Sequence, residues 1–165
     1  MVAKASKGKA VVTLPADTQI LIVRSFEAPK HLIYRAWTTP ELIKRWWHAK
    51  RGTVTVADVD LRVGGMWRWV MMTDRGFEVA FHGEYREIVP NERIVYTEVY
   101  EGFPGADENP AVVTLTLTEA SGRTTITELV EVTTREIRDA IIDSGMEAGM
   151  QDAMDLMEEV ANSLR

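Results

Sequence analysis

Two stretches set a carboxylate among apolar neighbours. In "VYTEVYE" (95–101), strand alternation puts Glu98 on the same face as Tyr96 and Tyr100. If that face turns inward, Glu98 sits in an apolar cavity, where lost hydration raises its pKa and equips it for proton transfer. If Val95, Thr97 and Val99 turn inward instead, Glu98 is solvated and inert. Glu128 in "TITELVE" (125–131) carries the same ambiguity, on a strand that could share the cavity. An arginine such as Arg62 beside either acid would make a structural ion pair of it. Glu98 and Glu128 are therefore the candidate catalytic residues only if the chain is an enzyme. Glu98, Glu128 or Tyr85 would then perform acid-base chemistry, such as cyclisation or dehydration of a polyketide-like substrate.

Other chemistries find little support. His31, His48 and His82 lack the spacing of a metal site, so no metal and no cofactor are expected. His82 alternates with Phe81 and belongs on the opposite, mostly solvated face. There is no cysteine for thiol catalysis and no nucleophile elbow. "RWWHAKRG" sets aromatics beside Arg45, Lys50 and Arg51, but the overall acidity argues against nucleotide stacking.

The acids gain meaning from "DLRVGGMWRWVMMTD" (60–74), where alternation puts Trp67, Trp69 and Met71 on one face of a strand. Trp carries an N–H that needs a partner when buried, which makes it an expensive core filler. These rings either pack against a helix or wall a pocket shared with Phe81, Tyr85 and Tyr96. Met146, Met150 and Met154 recur at helical spacing near the C-terminus and suit an adaptable pocket wall or a loose core equally. Gly64-Gly65 precedes a strand rather than a helix, so it reads as a tight reversal and not as a phosphate loop.

The elements that must position these residues are legible in outline. "QILIVRSF" (19–26) reads as a strand. Pro29 opens a short helix, and Thr39-Pro40-Glu41 caps a second one over "ELIKRWW". From 53 to 132 strand follows strand, with turns at Gly64-Gly65, Asp74-Arg75-Gly76, Pro90-Asn91 and Ser121-Gly122. Thr133 with Glu136 and Ser144 with Glu147 have capping-box spacing, predicting helices near 134–143 and 145–163. "EGFPGADENPA" (101–111) is the longest irregular stretch and is placed to overhang a cavity mouth. Residues 1–16 read as a flexible N-terminal arm, and 17–165 as a single domain.

Composition sets outer limits. The chain has 165 residues, 45% of them hydrophobic, and a net charge of −6 without a basic stripe. That predicts one domain with a sizeable core, no nucleic-acid partner and no anionic membrane surface as partner. The first residues show no apolar run of leader length, so a cytoplasmic location is expected. The order β, α, α, many antiparallel β, long α is an α+β arrangement in which the last helix must cover a curved sheet.

The chain resembles the START-related (SRPBCC) superfamily, in the branch of the activator of heat-shock-protein-90 ATPase C-terminal domain. The stretches that carry the likeness are "AWTTPELIKRWW" (36–47), "DLRVGGMWRW" (60–69), "HGEYREIVPNERIVYTE" (82–98), "EGFP" (101–104) and "REIRDAIIDSGMEAGMQDAMD" (135–155). The resemblance implies a helix-grip fold, with a seven-strand antiparallel sheet around a C-terminal helix and a hydrophobic cavity between them. The leading expectation is thus a binder of a small apolar or aromatic molecule, lipid or polyketide included, in a cavity of several hundred Å3 lined by Trp67, Trp69, Met71, Phe81, Tyr85, Tyr96, Met146, Met150 and Met154. The acid-base enzyme and a chaperone-interacting module are the rivals. A chaperone partner is the less expected of the two, since no apolar surface patch is evident. A weak homodimer stays open.

Overall fold

A computed structural model describes residues 8–102 and 105–165. Eight strands form one wholly antiparallel sheet: β1 (Val11–Thr13), β2 (Gln19–Phe26), β3 (Gly52–Val59), β4 (Met66–Thr73), β5 (Glu78–Val89), β6 (Arg93–Tyr100), β7 (Ala111–Ala120) and β8 (Arg123–Glu131). Their spatial order is β1-β2-β8-β7-β6-β5-β4-β3. The helices α1 (Lys30–Thr38) and α2 (Pro40–Trp46) follow β2, while α3 (Arg135–Asp143) and α4 (Met146–Asn162) end the chain. This is the α+β helix-grip architecture.

Turn chemistry sets the meander. Ser121 and Gly122 both have positive φ, 54° and 74°, and join β7 to β8 as a two-residue hairpin loop whose twist matches the strands. Asn91 and Gly76 take the left-handed positions of the neighbouring turns. Gly64 (φ 84°) turns the chain into β4, and the Gly64 N–H and Gly65 carbonyl pair with Tyr85 at 2.8 and 2.9 Å. The expected reversal thereby extends the β4–β5 ladder and fixes Tyr85.

Three expectations need correction. Of the flexible arm, residues 1–7 lie outside the described residues, but Val11–Thr13 is a strand paired with β2, so the sheet has eight strands rather than seven. Ala10 is buried, and its N–H and carbonyl both bond the Gln151 side chain of α4 at 2.9 Å. Small residues there fit under a helix, which composition alone does not distinguish from a loose tail. The cap of α3 is Thr134, one residue later than expected, accepting from the Ile137 N–H at 3.2 Å. And α4 starts at Gly145 in left-handed geometry without a side-chain cap, the Ser144 hydroxyl donating back to the Ile141 carbonyl at 2.6 Å.

The inward stripe of β2 is Ile20, Ile22, Arg24 and Phe26, so one guanidinium is built into the core face. Arg24 is 1% exposed; its Nη2 meets Asp155 of α4 at 2.7 Å, and the guanidinium lies 4.9 Å over the Phe26 ring. Its Nε–H has no acceptor among the described residues. Asp155→Asn is expected to cost about 2 kcal/mol, below the usual loss for a fully buried pair because Asp155 is half exposed to water. Urea denaturation checks it: the double variant Arg24→Met/Asp155→Asn should regain most of the loss. Along α4, Met154, Met157, Val160 and Ala161 are buried in the main core, and the helix packs on α1 and α2. Among the described residues no helix is long and apolar enough to cross a membrane.

Candidate functional site

The register of the central strands decides which way Glu98 points. Tyr85 of β5 pairs with Tyr96 of β6, and Tyr96 with Val113 of β7. Both partners are buried, so the Tyr96 face is the concave one and Glu98 shares it. On β8 the inward row is Thr124, Ile126, Glu128 and Val130, so Glu128 faces the interior as well. The alternative register, with Glu98 solvated outside, is not adopted.

A cavity of about 100 Å3 lies on this concave face, walled by Trp37, Trp47, Trp67, Trp69, Phe81, Tyr85, Ile94, Tyr96 and Glu98. The rings form a continuous edge-on array. Trp69 lies 5.8 Å from Trp46, 5.6 Å from Trp47 and 5.4 Å from Trp67, and Trp67 lies 5.6 Å from Tyr96. Trp47, just past α2, also meets Phe81 at 5.9 Å and so bridges the helix pair to β5. Such pairs add about 0.5–1.5 kcal/mol each beyond area burial. The Trp67 indole crosses β5 to donate to the Thr97 carbonyl at 3.2 Å, and Gly83 gives it room. A Cβ at Gly83 would sit 1.8 Å from that oxygen and 2.7 Å from the indole nitrogen. The Trp69 indole N–H is buried without a hydrogen-bond acceptor among the described residues.

Electrostatics sets the two acids apart from the rest. Burial pushes Glu98 up to about 7, although its side chain is only half-buried by accessible surface. The surface it keeps lies on the cavity wall. Glu128 is pushed up to about 8, first by burial and then by the charge of Glu98; a hydrogen bond with Tyr96 acts the other way. Burial, reinforced by both acids, raises the Tyr96 phenol well above its ordinary range. The expected arginine partner is absent from this face: Arg62 is exposed and bonded to Asp60 at 2.9 Å. It lies in the turn before β4, which its sequence position alone does not reveal.

Of the expected lining residues, Trp67, Trp69, Phe81, Tyr85 and Tyr96 come together on the wall. Met71 is buried between Val54 and Val79, away from the lining. Met146, Met150 and Met154 are not on the wall either: Met154 fills core, and the other two are half-buried on α4. The cavity therefore opens between the sheet and the α1–α2 end, not along the last helix, because α4 is seated firmly on the core. It is also smaller than the several hundred Å3 expected. Trp37, Trp47 and Ile94 were not foreseen as wall: Trp37 and Ile94 each read as ordinary core in their own helix or strand, and the aromatics of "RWWHAKRG" were weighed only for nucleotide stacking.

The convex face holds a polar cluster. Arg68 grips Glu101 with two hydrogen bonds, at 2.9 and 3.0 Å, and His82 places its two ring nitrogens 2.8 Å from Glu101 and from Asp107. Burial alone would lower the His82 pKa, but the two carboxylates outweigh it and leave it raised. His82 thus lies outside the cavity, as its alternation with Phe81 requires.

A curved antiparallel sheet closed by helices over an aromatic cavity defines a START-like, SRPBCC fold. The model of the family "Activator of Hsp90 ATPase homolog 1-like protein" matches residues 27–162, and the chain belongs to that family. Solved structures of similar fold include a protein from Rhodobacter sphaeroides (24% identity, TM-score 0.85, covering 95% of this chain and 100% of that one). Others come from Chromobacterium violaceum (27%, 0.75, 88% and 98%) and Mycobacterium smegmatis (24%, 0.80, 91% and 95%). No curated protein matches the chain.

Proposed function

We propose that the protein binds a compact apolar or aromatic molecule in the cavity between the concave sheet face and the α1–α2 pair. The observation that carries this reading is an aromatic wall broken by a single unpaired carboxyl, Glu98. A space of about 100 Å3 is of the order that takes up benzene in other protein interiors, so the guest, or the part of it enclosed, is about one ring in size.

Calorimetry with toluene tests the proposal. Saturable uptake is expected, weakened at least tenfold by Ile94→Phe, which puts a ring into the cavity from its floor. No uptake by the unaltered protein, or uptake indifferent to Ile94→Phe in a folded variant, overturns it.

A second reading, acid-base catalysis, is favoured by one fact: an acid held near 7 on a cavity wall is suited to exchange protons at neutral pH. Under it, Glu98→Gln abolishes turnover of a bound substrate while uptake continues. Under the binding reading alone there is no turnover to lose.

A further inference from the structure

The chemistry of the cavity restricts the charge its guest can carry. Its wall presents seven aromatic side chains and one carboxyl, and no Lys, Arg or His. The Glu98 side chain makes no hydrogen bond or ion pair with any described residue, and no cationic group acts on it or on Glu128. The buried Arg24 of β2 is engaged by Asp155 on α4. Behind the wall, Tyr96 joins Glu128 to the same polar end.

Three kinds of guest can be compared. An anionic guest would gain at most a hydrogen bond from a protonated carboxyl, with no cation on the wall to neutralise its charge. A neutral guest fills the space but leaves the desolvated acids as they are. A cation supplies the missing counter-charge, and its N–H groups find acceptors in Glu98 and the Tyr96 oxygen. The surrounding rings present negative π faces, which attract a cation most strongly when it is desolvated.

We propose that the cavity is an amine site: its guest carries a protonated amine, seated against Glu98 and Tyr96 with the Trp and Phe rings around it. This rests on the cavity-binding reading above and narrows it to a class of ligand. Binding also moves a proton. Near neutral pH the acid pair holds protons that the ammonium replaces, so uptake of the cation expels a proton from Glu98, or from Glu128 through Tyr96, to solvent.

The test compares benzylamine, benzyl alcohol and benzoate, near-equal in shape and different in charge, by calorimetry at pH 7 in two buffers of different ionisation enthalpy. Benzylamine is expected to bind at least tenfold more tightly than benzyl alcohol, and benzoate not measurably. The apparent enthalpy of benzylamine binding should differ between buffers by the amount that release of up to one proton requires. In Glu98→Gln the amine-to-alcohol ratio should collapse toward one and the proton release should shrink. Should that variant not fold, the buffer comparison on the unaltered protein still decides. Alcohol or benzoate binding as tightly as the amine, or amine binding without proton release, overturns the amine site and leaves the cavity reading standing. If none of the three binds and toluene does not either, both fail.

Discussion

Glu128→Gln is expected to make the protein more stable at pH 9 by about 3–5 kcal/mol, and to change little at pH 4. The unfolded carboxyl ionises near 4.5, whereas the folded one holds its proton to about 8. Between those values the unfolded chain binds fewer protons than the folded one, so stability falls as pH rises and levels off above the folded pKa. The full contribution of the protonated form is present only below the unfolded value. Glutamine keeps the volume and a hydrogen bond to Tyr96 without an ionisation to suppress. Glu98→Gln should act in the same direction with its window closing near 7. Urea denaturation from pH 4 to pH 9 checks both. A Gln variant with the parent's pH slope would mean that water reaches the acids and that they are not enclosed as described.

Trp69→Ala is expected to cost about 3–5 kcal/mol. Trp69 is 8% exposed and holds edge-on contacts with Trp46, Trp47 and Trp67, so truncation takes one ring contact from each of the three. The orphaned N–H it removes is a small credit against that loss. Because the void joins the existing cavity, the variant should also accept a guest of two fused rings that the parent excludes. Denaturant titration and naphthalene uptake measure the two effects. A loss under about 1.5 kcal/mol would show that Trp69 is mainly a pocket wall and not part of the packed array.

What sequence could and could not reveal follows from the range of each signal. The meander was readable because its turns are local: a positive-φ Ser-Gly or Asn hands the chain over within four residues. Glu98 was readable only as a choice between two faces, since "VYTEVY" is apolar on both. Its neighbours decide it, through Tyr85 on one side and Val113 on the other, and such pairing is not written in the strand itself. The methionine stripe failed for a related reason. Helical spacing gives the buried face of α4 but not what lies opposite, and opposite it lie core and the β1 segment rather than the cavity. Arg24 reads as an interruption in an apolar strand, and its partner Asp155 is far along the chain. Trp37 and Ile94 obey ordinary core periodicity, which does not separate a wall from a filling.

The central claim, that the aromatic cavity takes up a compact guest, is tested most directly by the indole N–H signals of the five tryptophans in a nitrogen–proton correlation spectrum during titration with toluene. The account predicts saturable shifts at Trp37, Trp47, Trp67 and Trp69, with Trp46, whose N–H is held by the Ala36 carbonyl at 2.9 Å, moving least. Absence of saturable shifts at all four wall indoles, up to the solubility of toluene, would contradict it.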